Sequence, residues 1–78
     1  MTARDPRRDP AAGDLLRKGN VWRRVERLEI VQGPFGVRRV RVMEWPEWKG
    51  GSVGYDAHIK RPSLGQFRKW AQGAEVVR

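Results

Sequence analysis

The chain has 78 residues and a formal net charge of +8, because 17 lysine and arginine residues outnumber nine aspartate and glutamate residues. This size limits it to one domain with a thin apolar core, and the absence of cysteine excludes disulfides and thiolate metal sites. No apolar run approaches the roughly 20 residues of a membrane-spanning helix, so we expect a cytoplasmic protein without membrane contacts or a cofactor. A positive charge of this size attracts polyanions and acidic protein surfaces, which makes binding the expected function.

The composition of the chain changes near residue 12. Residues 1–12 contain two Asp-Pro steps and three arginines without apolar periodicity, which predicts a disordered basic arm. Residues 13–78 are predicted to form a single small β-rich domain. Because its core is thin, a homodimer or docking on a partner is a reasonable source of further stability.

The first half of the domain is predicted to be β-structure. A short strand over residues 14–17 is followed by a turn at residues 18–20. Residues 21–32 fit two structures, because three apolar residues lie at helical spacing whereas the β-branched and aromatic content favours a strand. We interpret this segment as a strand with a bulge near Arg27, which places four apolar residues on one face: Val21, Val25, Leu28 and Ile30.

Two further strands are predicted downstream. After a turn at residues 33–36, residues 37–45 form a strand that ends at Pro46, since proline has no N–H for a ladder. One face of this strand carries Val40 and Val42, and the other carries Arg39, Arg41 and Met43. A loop over residues 45–51 leads to residues 52–60, whose strict apolar-polar alternation is typical of an antiparallel strand with one face on the core.

The last segment is predicted to be a helix and an edge strand. Ser63 and Gln66 form the pattern of a capping box, and Leu64, Phe67, Trp70 and Ala71 share one helical face. Gly73 is expected to end the helix in the left-handed conformation, before a strand over residues 74–77. The fold class is therefore mainly β (α+β): a small curved antiparallel sheet, or SH3-like half-barrel, of four to five strands with one C-terminal helix.

Catalysis has little support in this sequence. His58 is the one histidine, and no nucleophile or phosphate-loop motif accompanies it. His58 is expected on the solvent face of its strand, so no enzyme function is assigned.

Two groups of residues are candidates for partner binding. Six arginines occupy neighbouring strands of a predicted hairpin, where arginines that point to one face form a compact positive patch: Arg23, Arg24, Arg27, Arg38, Arg39 and Arg41. Glu26, Glu29 and Glu44 are available to neutralise part of it. Trp45 and Trp48 flank Pro46 in the following loop, where they either anchor a partner or fold back as a lid over the core. Trp70 is expected in the core, and Trp22 beneath the sheet or at its edge.

Two motifs flank the β-rich middle of the domain. The first is the frame Gly13-Asp14-x-x-Arg17, and the second is the ending that runs from Ser63-Leu64 through Phe67-Arg68-Lys69-Trp70-Ala71 to Gly73-Ala74-Glu75-Val76. Together with that middle, they resemble small bacteriophage and prophage proteins. Some phage proteins of this size are anti-CRISPR inhibitors. The resemblance implies a non-catalytic accessory protein in a host bacterial cell that binds a host protein or ribonucleoprotein complex, such as a CRISPR surveillance complex. Many such inhibitors are acidic DNA mimics, so a basic chain implies an acidic or RNA-bearing target surface. The alternative is a small nucleic-acid-binding module, with arginines on phosphates and tryptophans on bases.

Overall fold

The computed structural model describes residues 4–31, 36–46 and 57–77. Its elements follow the order β1 (Leu15–Lys18), β2 (Val21–Val31), β3 (Val37–Pro46), β4 (His58–Lys60), α1 (Leu64–Ala71) and β5 (Glu75–Val77). The strands form one antiparallel sheet with the spatial order β4-β3-β2-β1-β5. The predicted α+β class, with a small antiparallel, half-barrel-like sheet and one short helix, is confirmed.

The segment that fitted both helix and strand is a strand, β2, and it contains the predicted bulge. Its register against β3 shifts between Val25 and Arg27. On one side of the shift Val25 lies opposite Val42, and on the other Leu28 lies opposite Val40. Directly opposed residues of an antiparallel pair share a face, so Val25 and Leu28 lie on the same side of the sheet although they are three residues apart.

The core lies between α1 and one face of the sheet, which we call the helix face. Residues from β1, β2, β3 and α1 are almost fully buried there, with Ala74 beside them: Leu16, Val25, Val40, Val42, Phe67 and Ala71. Leu64, Trp70 and Val76 pack against this cluster. The short helix covers only part of the helix face, since Leu28 and Ile30 remain 47% and 71% exposed at the far end of β2.

The helix begins as predicted and ends differently. The Ser63 side chain accepts from the Gln66 backbone N–H at 3.1 Å, and the Ser63 N–H donates to the Gln66 side chain at 3.1 Å, which completes the capping box. Gly73 does not have positive φ, so the prediction of a left-handed end is wrong. The Lys18 Nζ instead donates to the Trp70 carbonyl at 2.9 Å, and its Cε lies 3.3 Å from where a Gly73 Cβ would stand. Gly73 therefore fits a close approach of Lys18.

The strand predicted over residues 52–60 is described only from Ala57 onward, and residues 52–56 lie outside the described part of the chain. β4 is an edge strand whose three residues are all exposed. Ile59, expected on the core, is 45% exposed and lies opposite Met43, on the face without the helix. Alternation predicted strand structure correctly at residues 58–60, but it could not show which face α1 covers.

Residues 4–12, predicted as a disordered arm, make defined contacts with the domain in the structure. Arg4 forms a bidentate pair with Asp14 at 2.6 and 2.9 Å, and Asp14 also accepts from the Ala11 N–H. Pro6 and Pro10 are buried. These contacts need no apolar periodicity, because buried prolines, an ion pair and hydrogen bonds to backbone carbonyls make them.

Removing the carboxylate in Asp14→Ala is expected to release this segment. The hydrogen bond from Arg4 is the first cause that holds the pKa of Asp14 below its ordinary value, so this contact is specific to the folded state. Because Arg4 lies at the surface, solvent screens part of this attraction, so the loss of the pair opens the segment and does not unfold the domain. Tryptic cleavage after Arg7 and Arg8 should therefore become a few-fold faster. Glu75→Ala is the control, because it removes one carboxylate from an exposed ion pair outside this segment. Equal cleavage rates in the two variants would contradict the assignment.

Candidate binding face of the sheet

The β2–β3 hairpin brings the two arginine triplets onto adjacent strands, as predicted, and distributes them over both faces. Opposed pairs show which face each residue occupies, because Val25, Val40 and Val42 are core residues on the helix face. Four of the six predicted arginines lie on the opposite face: Arg24, Arg27, Arg39 and Arg41. We call this surface, together with Arg61 beside it, the arginine face.

Arg23 and Arg38 lie on the helix face, so the predicted six-residue patch needs correction. Arg23 lies opposite Glu44, and its Nε donates to the Glu44 carboxylate at 2.7 Å. Its guanidinium also lies 4.3 Å from the centre of the Trp70 ring. Arg38 lies opposite Ile30 and is exposed. Arg23 is thus a structural residue that links the sheet to α1.

The bulge in β2 explains why Arg27 belongs to the arginine face. In an unbroken strand, residues 25 and 27 point the same way, and Arg27 would lie on the helix face with the buried Val25. The extra residue reverses this alternation after Val25, so Arg24 and Arg27 lie on one side.

Arg27 and Arg41 lie directly opposite each other on this face. Like charges in this position repel, and the repulsion needs a compensating negative charge. Glu29 supplies part of it, since its carboxylate accepts from Arg27 Nη2 at 3.0 Å and Nε at 3.2 Å. The hydrogen bond from Arg27, aided by the charges of Arg61 and Arg41, holds the pKa of Glu29 below its ordinary value.

Arg39 and Arg61 extend the arginine face toward the β4 edge. Arg39 lies opposite Glu29, and its guanidinium donates to the Arg61 carbonyl at 2.8 Å. The Arg61 guanidinium is 3.3 Å from the second oxygen of Glu29. The Glu29 carboxylate therefore pairs with two arginines, Arg27 and Arg61, while Arg39 and Arg41 lie near it on this face. Arg24, at the other end, has Glu26 at 3.6 Å.

Arg61 was missed by the sequence interpretation. It follows β4 and is far from the hairpin in sequence, and nothing in its neighbours marks it. The backbone after β4 returns along β3, where the Val40 N–H donates to the Pro62 carbonyl and Ser63 bridges Arg39. Only this tertiary path brings Arg61 to Glu29.

Trp22 and Trp45 form a stacked pair at the end of the arginine face. They lie opposite each other on β2 and β3, with ring centres 6.4 Å apart and planes 12° from parallel. Trp45 is a β3 residue that is 2% exposed, so of the two alternatives for this ring the exposed anchor is wrong. Arg17 lies over the Trp22 ring at 5.6 Å. Trp48 lies outside the described residues.

Apolar side chains accompany the arginines on this face. Met43 lies opposite Arg24 and beside Ile59 of β4, and Val37, 43% exposed, lies at the hairpin end. His58 lies opposite Glu44 on the exposed edge strand and therefore belongs to the helix face, not to this surface. The arginine face therefore combines cations, two carboxylates and exposed apolar groups, which is a composition suited to contact with another macromolecule.

No protein-family model matches this chain, and comparisons with curated proteins and with solved structures also find no match. The structure therefore defines this protein as a small α+β sheet domain with an arginine-rich face. Among the described residues, no helix has the length and apolar character needed to cross a membrane.

Proposed function

We propose that this protein is a non-catalytic accessory protein that docks its arginine face on an acidic surface of a host macromolecular complex. The opposed pair of Arg27 and Arg41 carries the proposal. The repulsion between these cations lowers the stability of the free protein, and an acidic partner would relieve it. Arg24, Arg39 and Arg61 surround the pair and add to the attraction.

A protein surface suits this face better than a bare nucleic acid. Glu26 and Glu29 lie among the arginines, where they would repel a phosphate backbone but can pair with cations of a protein partner. Met43 and Ile59 supply apolar contact area, and methionine and arginine are both enriched in protein interfaces. Trp45, which base stacking would require at the surface, is buried.

The resemblance to small phage proteins supports a particular kind of partner. A phage accessory protein of this kind would bind a host complex and block its activity, as an anti-CRISPR inhibitor blocks target recognition. We therefore propose a CRISPR surveillance complex as the first partner to test, with its acidic or RNA-bearing protein surface as the binding site.

The double substitution Arg27→Gln/Arg41→Gln tests the arginine face. We expect it to weaken binding to a purified host complex at least tenfold, because each charge-assisted contact contributes about 1.5–3 kcal/mol. Binding of the wild type should weaken as salt rises, and the variant should show a smaller salt dependence. Biolayer interferometry at two salt concentrations measures both effects. Removing the opposed cations should not lower thermal stability.

Arg38→Gln/Lys69→Gln provides the control for charge, because it removes the same two units from exposed residues outside the arginine face. Retention of binding in this control and its loss in the first variant are the expected results. Equal affinities of all three proteins, or no stoichiometric protein partner for the wild type, would contradict the proposal. A nuclease-sensitive gel shift at about 50 mM salt without a protein partner would favour the nucleic-acid alternative.

A further inference from the structure

A second group of arginines lies away from the arginine face, between the N-terminal segment and α1. Arg7, Arg8 and Arg68 line a cavity of about 590 Å³ with Asp5 and Gln72. Since α1 packs on the helix face, this cavity belongs to the other side of the sheet from Arg27 and Arg41. The contacts of residues 4–12 with the domain create it.

Two of these guanidinium groups are held through their Nε atoms. Arg68 Nε donates to the Arg8 carbonyl at 2.7 Å, and Arg7 Nε donates to Asp5 Oδ1 at 3.2 Å. Within the described residues, the terminal Nη groups of Arg7 and Arg68 make no further hydrogen bond. The fork of each guanidinium, which matches two oxygens of a phosphate, is therefore available to a ligand.

The backbone that carries Arg7 and Arg8 is a defined turn. The Asp5 carbonyl accepts from the N–H groups of Arg8 and Asp9 at 3.0 and 2.8 Å, and the Asp5 side chain accepts from the Arg7 N–H at 3.0 Å. Pro10 is fully buried just after the turn. A ligand would meet arginines on an ordered backbone, which reduces the entropy lost on binding.

The charge of the cavity selects an anion. Three guanidinium groups face one carboxylate, and the described lining residues include no aromatic ring that could stack on a base. We propose that this cavity binds a phosphate group, either as a free phosphate anion or as part of a nucleic-acid backbone. The proposal concerns residues that the arginine face does not use.

Titration with inorganic phosphate tests the site directly. In ¹H–¹⁵N spectra, the Nε–Hε signals of Arg7 and Arg68 should shift in a saturable manner with phosphate, and not with chloride at the same ionic strength. A second titration uses a fluorescent 12-nucleotide oligothymidine. Saturation by inorganic phosphate assigns a free-phosphate site, whereas saturation by the oligonucleotide alone assigns a backbone site. No saturable shift with either probe would overturn the proposal.

Substitutions then locate the binding. Arg7→Gln and Arg68→Gln, tested singly, should each lower the affinity for the probe that saturates the site about tenfold or more. Arg68→Gln also removes a contact with the Arg8 carbonyl, whereas Arg7→Gln leaves that contact in place, so the two variants together separate ligand contact from the position of the segment. Arg38→Gln and Arg27→Gln/Arg41→Gln should bind as the wild type does. Undiminished binding by Arg7→Gln and Arg68→Gln would overturn the assignment, whatever the outcome for the arginine face.

Discussion

Phe67→Ala is expected to lower the free energy of unfolding by about 3–5 kcal/mol, which would leave much of the protein unfolded at 25 °C. The Phe67 ring is fully buried and is one of the largest side chains in the core. It joins α1 to the valines of β2 and β3 and lies 6.2 Å from the Trp70 ring. A core this small cannot close around the resulting cavity without moving α1.

Urea unfolding followed by tryptophan fluorescence and circular dichroism measures this loss. Leu28→Ala is the matched control, because Leu28 lies on the same face of the sheet as Val25 but is 47% exposed beyond the reach of α1. We expect it to cost less than about 1 kcal/mol. Similar losses of unfolding free energy in the two variants would contradict the placement of the core between α1 and the sheet.

Glu44→Gln is expected to lower the free energy of unfolding by about 1–3 kcal/mol at pH 7. Glu44 accepts from Arg23 Nε at 2.7 Å and lies 3.1 Å from Lys60 Nζ. The Arg23 and Glu44 side chains are only 11% and 17% exposed, so the substitution leaves a shielded guanidinium without its anion. Glu75→Gln removes a carboxylate from the more exposed pair with Arg17 and should cost less than about 1 kcal/mol.

The pKa of Glu44 also predicts how the free energy of unfolding depends on pH. Burial raises the pKa of Glu44, but the hydrogen bonds and charges of Arg23 and Lys60 outweigh it, so the pKa lies below its ordinary value. A carboxyl whose pKa is lower in the folded than in the unfolded state stabilises the fold above the unfolded pKa, near 4.3. That stabilisation is lost as the pH falls through the folded pKa. The difference in unfolding free energy between wild type and Glu44→Gln should therefore shrink below about pH 4. A constant difference from pH 7 to pH 3 would contradict this role of Glu44.

Much of the fold follows from local sequence patterns. The capping box of Ser63 and Gln66, the apolar face of α1 and the alternation of β3 all depend on neighbours within four residues, and each is present in the structure. The bulge was also predictable, because the valines and leucine of β2 share a face only if one extra residue interrupts the alternation. Gly73 was misassigned as a left-handed helix end, whereas in the structure it fits the close approach of Lys18, which is distant in sequence.

The candidate site was predicted only in part. Counting arginines on two adjacent strands identified the hairpin that carries the arginine face, and alternation separated Arg39 and Arg41 from the valines of β3. It could not show that Arg23 pairs with Glu44 under Trp70, since that contact needs the register of β2 on β3 and the position of α1. The sequence placed Trp45 at the junction of a strand and a loop because Pro46 was expected to end the strand. In the structure Pro46 is the last residue of β3, so Trp45 lies in the sheet and stacks on Trp22.

By itself, the sequence determined the strong positive charge, the order of strands and helix, and the bulge that turns Arg27 away from the core, because these depend on composition and short-range periodicity. Only the tertiary structure decided which arginines share a surface. Strand register, the part of the sheet that α1 covers and the contacts of residues 4–12 are set by long-range pairing. The total charge is thereby divided into the arginine face around Arg27 and Arg41, a structural pair at Arg23, and the cavity at Arg7 and Arg68.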